Sequence, residues 1–196
     1  MSLLSTTTDL INRKVLRRDK DRWNYQYNLG RWESLGDLQE LGRFSVIVGY
    51  AQFLKPQGSI LEIGGGEGYL QQRFDKSKYS LYYCTDVSDV AIARGKKYED
   101  AKTKYFVADM NTYQPDRKFD VIILNEVIYY ADSVDKILNR FNPYLEDNGI
   151  FIMSINGDKR NAEWHQMMEK SSFTKIDGTI VNTARNTFYI TVLQKK

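Results

Sequence analysis

Residues 61–70 read LEIGGGEGYL, four glycines and two glutamates directly after a short apolar run. Side chains able to fill a core are nearly absent there. The main chain itself must therefore do the work, since glycine permits unusual backbone angles and close approach of a ligand. A dinucleotide fingerprint, G-x-G-x-x-G, needs a third glycine at 69 counting from Gly64, or at 71 counting from Gly66. Tyr69 and Gln71 stand in those places. No Gly-Lys-Ser/Thr follows, which excludes a P-loop. The glycines fall instead at 64, 66 and 68, with Glu62 two residues earlier, giving E-x-G-x-G-x-G.

The surrounding pattern sets this loop in a repeating frame. SILEI (59–63) predicts a strand, followed by a helix opening in the glycines and running from Tyr69 to Phe74. LYYCTDV (81–87), KYFVAD (104–109), FDVIILNEV (119–127) and GIFIMSIN (149–156) predict further strands. Helices are expected near 90–98, 133–144 and 162–171, and two closing strands at TKIDGTIVN (174–182) and TFYITVLQ (187–194). Before the glycines, Leu38, Leu41, Val46, Ile47, Tyr50, Phe53 and Leu54 recur at helical spacing. That helix spans 35–54, with Gly36-Asp37 able to cap it and Lys55-Pro56 ending it. Apolar strands alternating with helices give an α/β fold: a doubly wound, mostly parallel, seven-stranded sheet with helices on both faces and an antiparallel last strand. In such sheets ligands sit beyond the carboxyl ends of the strands, where the strand order reverses.

Bulk properties narrow the classes. The 196 residues suit one domain, and the three prolines (Pro56, Pro115, Pro143) lie beside expected element boundaries. Residues 1–55 read as an N-terminal helical segment and lid, and 56–196 as the core of the same domain. Hydrophobic content of 42% and charged content of 27% are those of a globular chain. No apolar run is long enough for a membrane span, and the first residues lack a secretory signal. Cys84 is the only cysteine, which rules out an internal disulfide or a zinc cluster and suits a reducing cytoplasm. The net charge of +3 comes from the first 22 residues, where six Lys/Arg meet three Asp; the remainder holds 22 of each sign. A neutral body does not suggest a nucleic-acid enzyme. The basic leader reads as a solvated terminus.

The E-x-G-x-G-x-G spacing within a first strand–loop–helix resembles motif I of the class I S-adenosylmethionine-dependent methyltransferases, and the resemblance extends along most of the chain. It implies that Glu62, Gly64, Gly66 and Gly68 belong to the cofactor loop. It further implies that Asp86, with Val87 beside it, holds the ribose hydroxyls, and that Asp109 and Met110 meet the adenine. Asn125 and Glu126, closing FDVIILNEV, match the motif below the methionine moiety. The chemistry agrees: carboxylates suit a sulfonium cofactor without phosphate and repel a pyrophosphate. No metal is implied.

The acceptor is less legible. Methyl transfer depends mainly on alignment, and a base is needed only when a hydroxyl must lose its proton. His165, the one histidine, lies in a helix able to cover the acceptor pocket and is one candidate base. Glu126 is the other, with Tyr129 and Tyr130 close by. In RWNYQYNLGRWESL (22–35), Tyr25, Tyr27, Arg31 and Trp32 are candidates to close over cofactor and acceptor. The chain is also similar to small bacterial enzymes of surface-polysaccharide and natural-product pathways, which implies a sugar hydroxyl as acceptor. An amino sugar or other small amine comes second. An anionic phosphate-type acceptor would need Arg31, Arg43, Lys159 or Arg160. A cofactor-binding partner module without activity is the alternative of a different class. A nucleic-acid acceptor is disfavoured, since residues 125–128 read NEVI rather than N/D-P-P-Y/F. Oligomeric state is not encoded in any motif.

Overall fold

A computed structural model describes residues 20–195, so nearly all of the basic leader lies outside the described residues. Helix α1 (Lys20–Asn28) and helix α2 (Leu38–Leu54) precede β1 (Ser59–Ile63). Then come β2 (Leu81–Asp86), α3 (Asp89–Gly95), β3 (Thr103–Val107), β4 (Phe119–Asn125), α4 (Val134–Phe141) and β5 (Leu145–Asn156). Helix α5 (Ala162–Glu169) and the hairpin β6 (Thr174–Asn182) and β7 (Thr187–Gln194) close the chain. The seven strands form one sheet in the order β3-β2-β1-β4-β5-β7-β6. The first five are parallel, and β7 runs antiparallel to both β5 and β6. Among the described residues no helix is long and apolar enough to cross a membrane.

The near-continuous apolar strands are explained by two buried layers. Successive strand residues face opposite sides. Leu61, Ile63, Ile122, Leu124, Phe151 and Met153 pack with Ile137, Leu138 and Phe141 of α4 and Met168 of α5. Ile60, Tyr82, Val121, Ile123, Ile150 and Ile152 pack with Phe44, Ile47 and Ala51 of α2 and Ile92 of α3. The strand order reverses between β1 and β4, which opens a crevice beyond their carboxyl ends.

Several expected boundaries shift. The helix expected to open in the glycines is replaced by turns and one 3-10 turn, Gln71–Arg73. Gly64, Gly66 and Gly68 all hold positive φ, at 71°, 59° and 83°, and Phe74 is already extended. The few residues between leave too little chain to repay helix nucleation. Helix α2 starts at Leu38, after a separate 3-10 turn at Glu33–Gly36, and its N-cap Asp37 makes no side-chain cap bond. Strand β2 stops at Asp86, β3 at Val107 and β4 at Asn125, so Val87, Asp109 and Glu126 lie in the loops beyond. Strand β5 begins four residues earlier than 149, at Leu145.

Gly68 combines φ of 83° with a close neighbour: an added Cβ would lie 2.0 Å from the Tyr105 hydroxyl. Gly68→Ala should therefore cost about 2–5 kcal/mol from left-handed strain and overpacking together. Chemical denaturation would measure this; a change of only a few tenths would show that Tyr105 moves freely aside.

Candidate active site

The crevice holds a cavity of about 350 Å³, the size of a small-molecule site. Its floor is the strand ends: Gly64–Gly66 after β1, Asp86 ending β2 with Val87 beyond it, Ala108–Asn111 after β3, Asn125 ending β4 with Glu126 and Val127 beyond it, and Asn156 of β5. Two backbone donors fasten the glycine loop to β2. Gly65 N–H donates to the Thr85 carbonyl at 2.8 Å, and Gly66 N–H donates to Asp86 Oδ2 at 3.0 Å. Asp86 Oδ1 accepts from Ser88 N–H at 2.8 Å. Each oxygen of Asp86 keeps further lone-pair capacity for a ligand. Burial raises this carboxyl to about 6, while the Ser88 and Gly66 amides pull the other way.

Glu62 lies beneath the loop, 1% exposed, with the Tyr82 hydroxyl donating to Oε2 at 2.7 Å. Burial raises its carboxyl to about 7 despite the Tyr82 and Cys84 hydrogen bonds. Above the loop stands Tyr27 of α1: a Cβ at Gly66 would lie 2.5 Å from its hydroxyl oxygen. Burial, and next the Asp86 charge, push the Tyr27 hydroxyl well up, which keeps it a neutral donor. Arg94 of α3 ties this segment down, donating to the Tyr27 carbonyl at 3.1 Å and to Glu67 at 2.9 Å. Asn24 exchanges hydrogen bonds with Ser88 and Asp89, and Trp23 meets Tyr130 edge-on at 4.9 Å. Helix α1 thus bridges from the β2 end to the β4 end.

The β4 side is built around Glu126, a non-glycine residue at φ 57°. Such strained positions persist where surroundings hold them, often at functional sites. Ser154 Oγ donates to Glu126 Oε1 at 2.5 Å and the Tyr129 hydroxyl donates to Oε2 at 2.9 Å. The same Tyr129 oxygen accepts from Asn156 N–H. Arg43 of α2, 2% exposed, donates to Asn125 Oδ1 and Glu40 Oε2, each at 2.6 Å, and lies 3.9 Å from Glu126 Oε1. Its guanidinium carbon sits 4.7 Å from the ring centres of both Phe44 and Phe188.

Of the residues singled out from sequence, Glu62, Gly64, Gly66, Asp86, Val87, Asp109, Met110, Asn125, Glu126, Tyr27, Trp32, Tyr129 and Tyr130 line this one cavity. Four do not. Gly68 makes room for Tyr105 instead. Tyr25 is 56% exposed and Arg31 is also at the surface. His165 packs its ring on Tyr189 at 4.3 Å, outside the cavity lining, and its Nε2 lies 3.3 Å from the Asn156 carbonyl. Among the four cations considered for an anionic acceptor, Arg43 alone lines the cavity, and Arg160 is paired with Asp158. The contributions of Glu40, Trp23, Asn156, Asn186 and Phe188 were not read from sequence. A usable signal existed for Glu40: it and Arg43 are the only charges in a mostly apolar helix. Among the described residues no group of three or more His, Cys, Asp or Glu could hold a metal ion.

A family model described as "Methyltransferase domain" matches residues 38–195. Malonyl-[acyl-carrier protein] O-methyltransferase 1 of Ilyobacter polytropus is 27% identical over 146 residues, covering 67% of this chain and 53% of that protein. The corresponding Bacillus cereus enzyme is 25% identical, covering 57% and 42%. The aligned region thus spans about half the length of these curated relatives. Magnesium protoporphyrin IX methyltransferase of Synechocystis superposes with a TM-score of 0.72 at 15% identity, covering 91% of this chain and 97% of that one. The 1,6-didemethyltoxoflavin-N1-methyltransferase of Burkholderia thailandensis gives 0.73 at 14%, covering 94% and 90%. These two establish the shared fold.

The raised Glu62 carboxyl has a consequence for stability. A group that holds its proton more tightly when folded contributes stability that is full below its ordinary value of 4.5 and is lost as pH rises through about 7. The ligand-free wild type should therefore weaken relative to Glu62→Gln by about 3 kcal/mol across that window. Denaturation at stepped pH tests this; a pH-independent gap would mean that Glu62 is charged throughout.

Proposed function

The chain belongs to the methyltransferase-domain family matched over residues 38–195, with the class I fold, and from that membership we infer that it methylates a small-molecule acceptor held beside Glu126, using S-adenosylmethionine. The observation that carries this reading is the acidic lining: five carboxyl groups (Glu40, Glu62, Asp86, Asp109, Glu126) against one arginine, Arg43, which is itself paired with Glu40. That set suits a cationic cofactor and opposes a phosphate-bearing one. S-adenosylmethionine supplies an electrophilic sulfonium methyl group.

The chain's own residues divide the remaining tasks. Asp86, oriented by the Gly66 and Ser88 amides, has lone pairs left for ribose hydroxyls. Asp109 spends Oδ1 on Asn111, and among the described residues no hydrogen bond reaches Oδ2, which suits an adenine amino group. Met110 adds an apolar contact. The segment before β1 acts as a lid through α1. Trp23, Trp32 and Tyr130 offer aromatic faces on which a sugar ring can stack, with Asn156 and Asn186 as hydrogen-bonding neighbours. Glu126, oriented by Ser154 and Tyr129, accepts the proton released by an acceptor hydroxyl.

A hydroxyl of a sugar or sugar-derived intermediate, in surface-polysaccharide or natural-product assembly, is the acceptor we favour. A small amine is the second reading, supported by the acidic lining, which attracts an ammonium group. Phosphate and carboxylate acceptors are disfavoured on the same ground, because Arg43 is already committed to Glu40 and Asn125.

Calorimetry should show S-adenosylhomocysteine binding that Asp86→Ala weakens more than about tenfold; unchanged affinity would remove the ribose assignment. With a hydroxyl acceptor, Glu126→Gln should lower kcat by roughly 10²–10⁴-fold while cofactor binding stays intact, and His165→Ala should leave kcat near wild type. A Glu126→Gln variant that raises only KM would instead favour the amine.

A further inference from the structure

Two asparagines border the cavity beside Glu126. Asn156 ends β5, Asn186 directly precedes β7, and both line the cavity. Side chains alternate along a strand, so Asn156 shares a face with Ser154, whose Oγ donates to Glu126 Oε1 at 2.5 Å. The register sets Ser154 beside Asn125 of β4 and Asn156 beside Phe188 of β7. Asn156 is also tied to Glu126 through Tyr129: its N–H donates to the Tyr129 hydroxyl, which donates to Glu126 Oε2 at 2.9 Å. An acceptor whose hydroxyl meets Glu126 therefore has Asn156 as a neighbour.

The hydrogen bonds already made by each amide decide what it has left to offer. Asp158 N–H donates to the Asn156 side chain at 2.9 Å, and the atom it meets must be the carbonyl oxygen. That fixes the amide orientation. Among the described residues Asn156 Nδ2 has no acceptor. Asn186 makes all its hydrogen bonds among the described residues through its backbone, and all with Thr183. Its N–H donates to Thr183 Oγ1 at 3.0 Å, and its carbonyl accepts from Thr183 N–H at 2.8 Å and from Oγ1 at 3.0 Å. The side-chain amide of Asn186 is thus unspent, on a backbone that Thr183 pins.

An amide NH₂ only donates, so it requires a lone pair from the ligand. A hydroxyl or ether oxygen supplies one and an ammonium group does not. A donor that loses water to a ligand without lone pairs is left unpaired, at a cost. The match is a neutral second oxygen close to the hydroxyl that Glu126 deprotonates, as the next carbon of a sugar ring carries. We propose that Asn156 and Asn186 are acceptor-specificity residues that read the oxygens flanking the methylated hydroxyl, and that Thr183 is the positioning residue for Asn186. The substrate class is then a vicinal diol or its ether, as in a pyranose, rather than an isolated alcohol or a simple amine. This rests on the reading of the protein as a hydroxyl methyltransferase using S-adenosylmethionine, with Glu126 as base.

The test reads S-adenosylhomocysteine released by the full chain, with the methyl pyranosides of glucose, galactose and mannose, their monodeoxy analogues, cyclohexanol and cyclohexylamine as probes. Wild type should methylate at least one pyranoside, and removing a hydroxyl that flanks the methylated position should lower kcat/KM at least about tenfold. Asn156→Ala and Asn186→Ala should each lower kcat/KM for that pyranoside by a similar factor, through KM more than kcat. Each variant should also treat the pyranoside and one of its deoxy analogues nearly alike. Calorimetric affinity for S-adenosylhomocysteine should stay at the wild-type value, which reports an intact fold. Thr183→Val should reproduce the Asn186→Ala loss, and Thr183→Ser, which keeps the hydroxyl but not the methyl group, should retain wild-type values. The proposal is overturned if no pyranoside is turned over, if cyclohexanol or cyclohexylamine serves as well, or if the alanine variants keep the full preference against the deoxy analogues. In each of those cases S-adenosylhomocysteine binding by wild type leaves the cofactor reading standing. A wild type that does not bind it overturns that reading and this inference together.

Discussion

The hydrogen bond from Gly66 N–H to Asp86 is the contact on which the rest of the site depends. It fastens the loop leaving β1 to the end of β2, at the place where the strand order turns back. With Gly65 N–H held by the Thr85 carbonyl, the loop has one course across the crevice. Three left-handed glycines are the backbone cost of that course. They also end any helix before it starts, and they leave Asp86, Tyr27 and Val127 in direct contact with the loop.

Electrostatics gives the site its sign. Parallel strands buried on both faces deliver carboxylates to a place with little water, and burial then raises Glu62 and Asp86. One arginine answers them. Arg43 is held between two aromatic rings and hydrogen-bonded to Glu40 and Asn125, contacts that offset part of its desolvation, while among the described residues its Nε finds no hydrogen-bond partner. It reaches from α2 to the end of β4, so the helix that fills one core layer also shapes the cavity wall. Its two charges face inward, so Glu40 and Arg43 line the cavity while Leu38, Leu41, Ser45, Gly49 and Phe53 lie at the surface.

Helix α1 depends on the same framework. Lys20 and Asn24 bind Asp89, Arg94 binds the Tyr27 carbonyl, and Trp23 leans on Tyr130. These are polar and aromatic contacts at the rim rather than a continuous apolar layer. Segments held in this way open at lower free energy than core strands, as entry of a cofactor demands.

Local sequence was enough for the strands, because short, near-continuous apolar runs that alternate with helical segments read as parallel strands buried on both faces. It was enough as well to bring Glu62, Gly64, Gly66, Asp86, Asp109 and Asn125 to one cavity, since each lies in or just beyond the carboxyl end of a parallel strand, and those ends face the crevice. Gly68 stands outside the cavity lining against Tyr105, a placement that spacing cannot reveal because it does not say what each glycine abuts. His165 faces Tyr189 rather than the cavity, which sequence could not decide because a helix known only by its period has no fixed rotation. Arg43 and Glu40 were visible as the charges of a mostly apolar helix, yet Asn125, the other partner of Arg43, lies 82 residues away from it. The sequence by itself determined the strands, the glycine loop and the acidic character of the cofactor side, because these rest on period, spacing and residue type. Which side chains share the cavity, how Glu126 is held, and why α2 keeps an uncharged outer face were decided only by tertiary structure, because they depend on contacts between residues far apart in the chain.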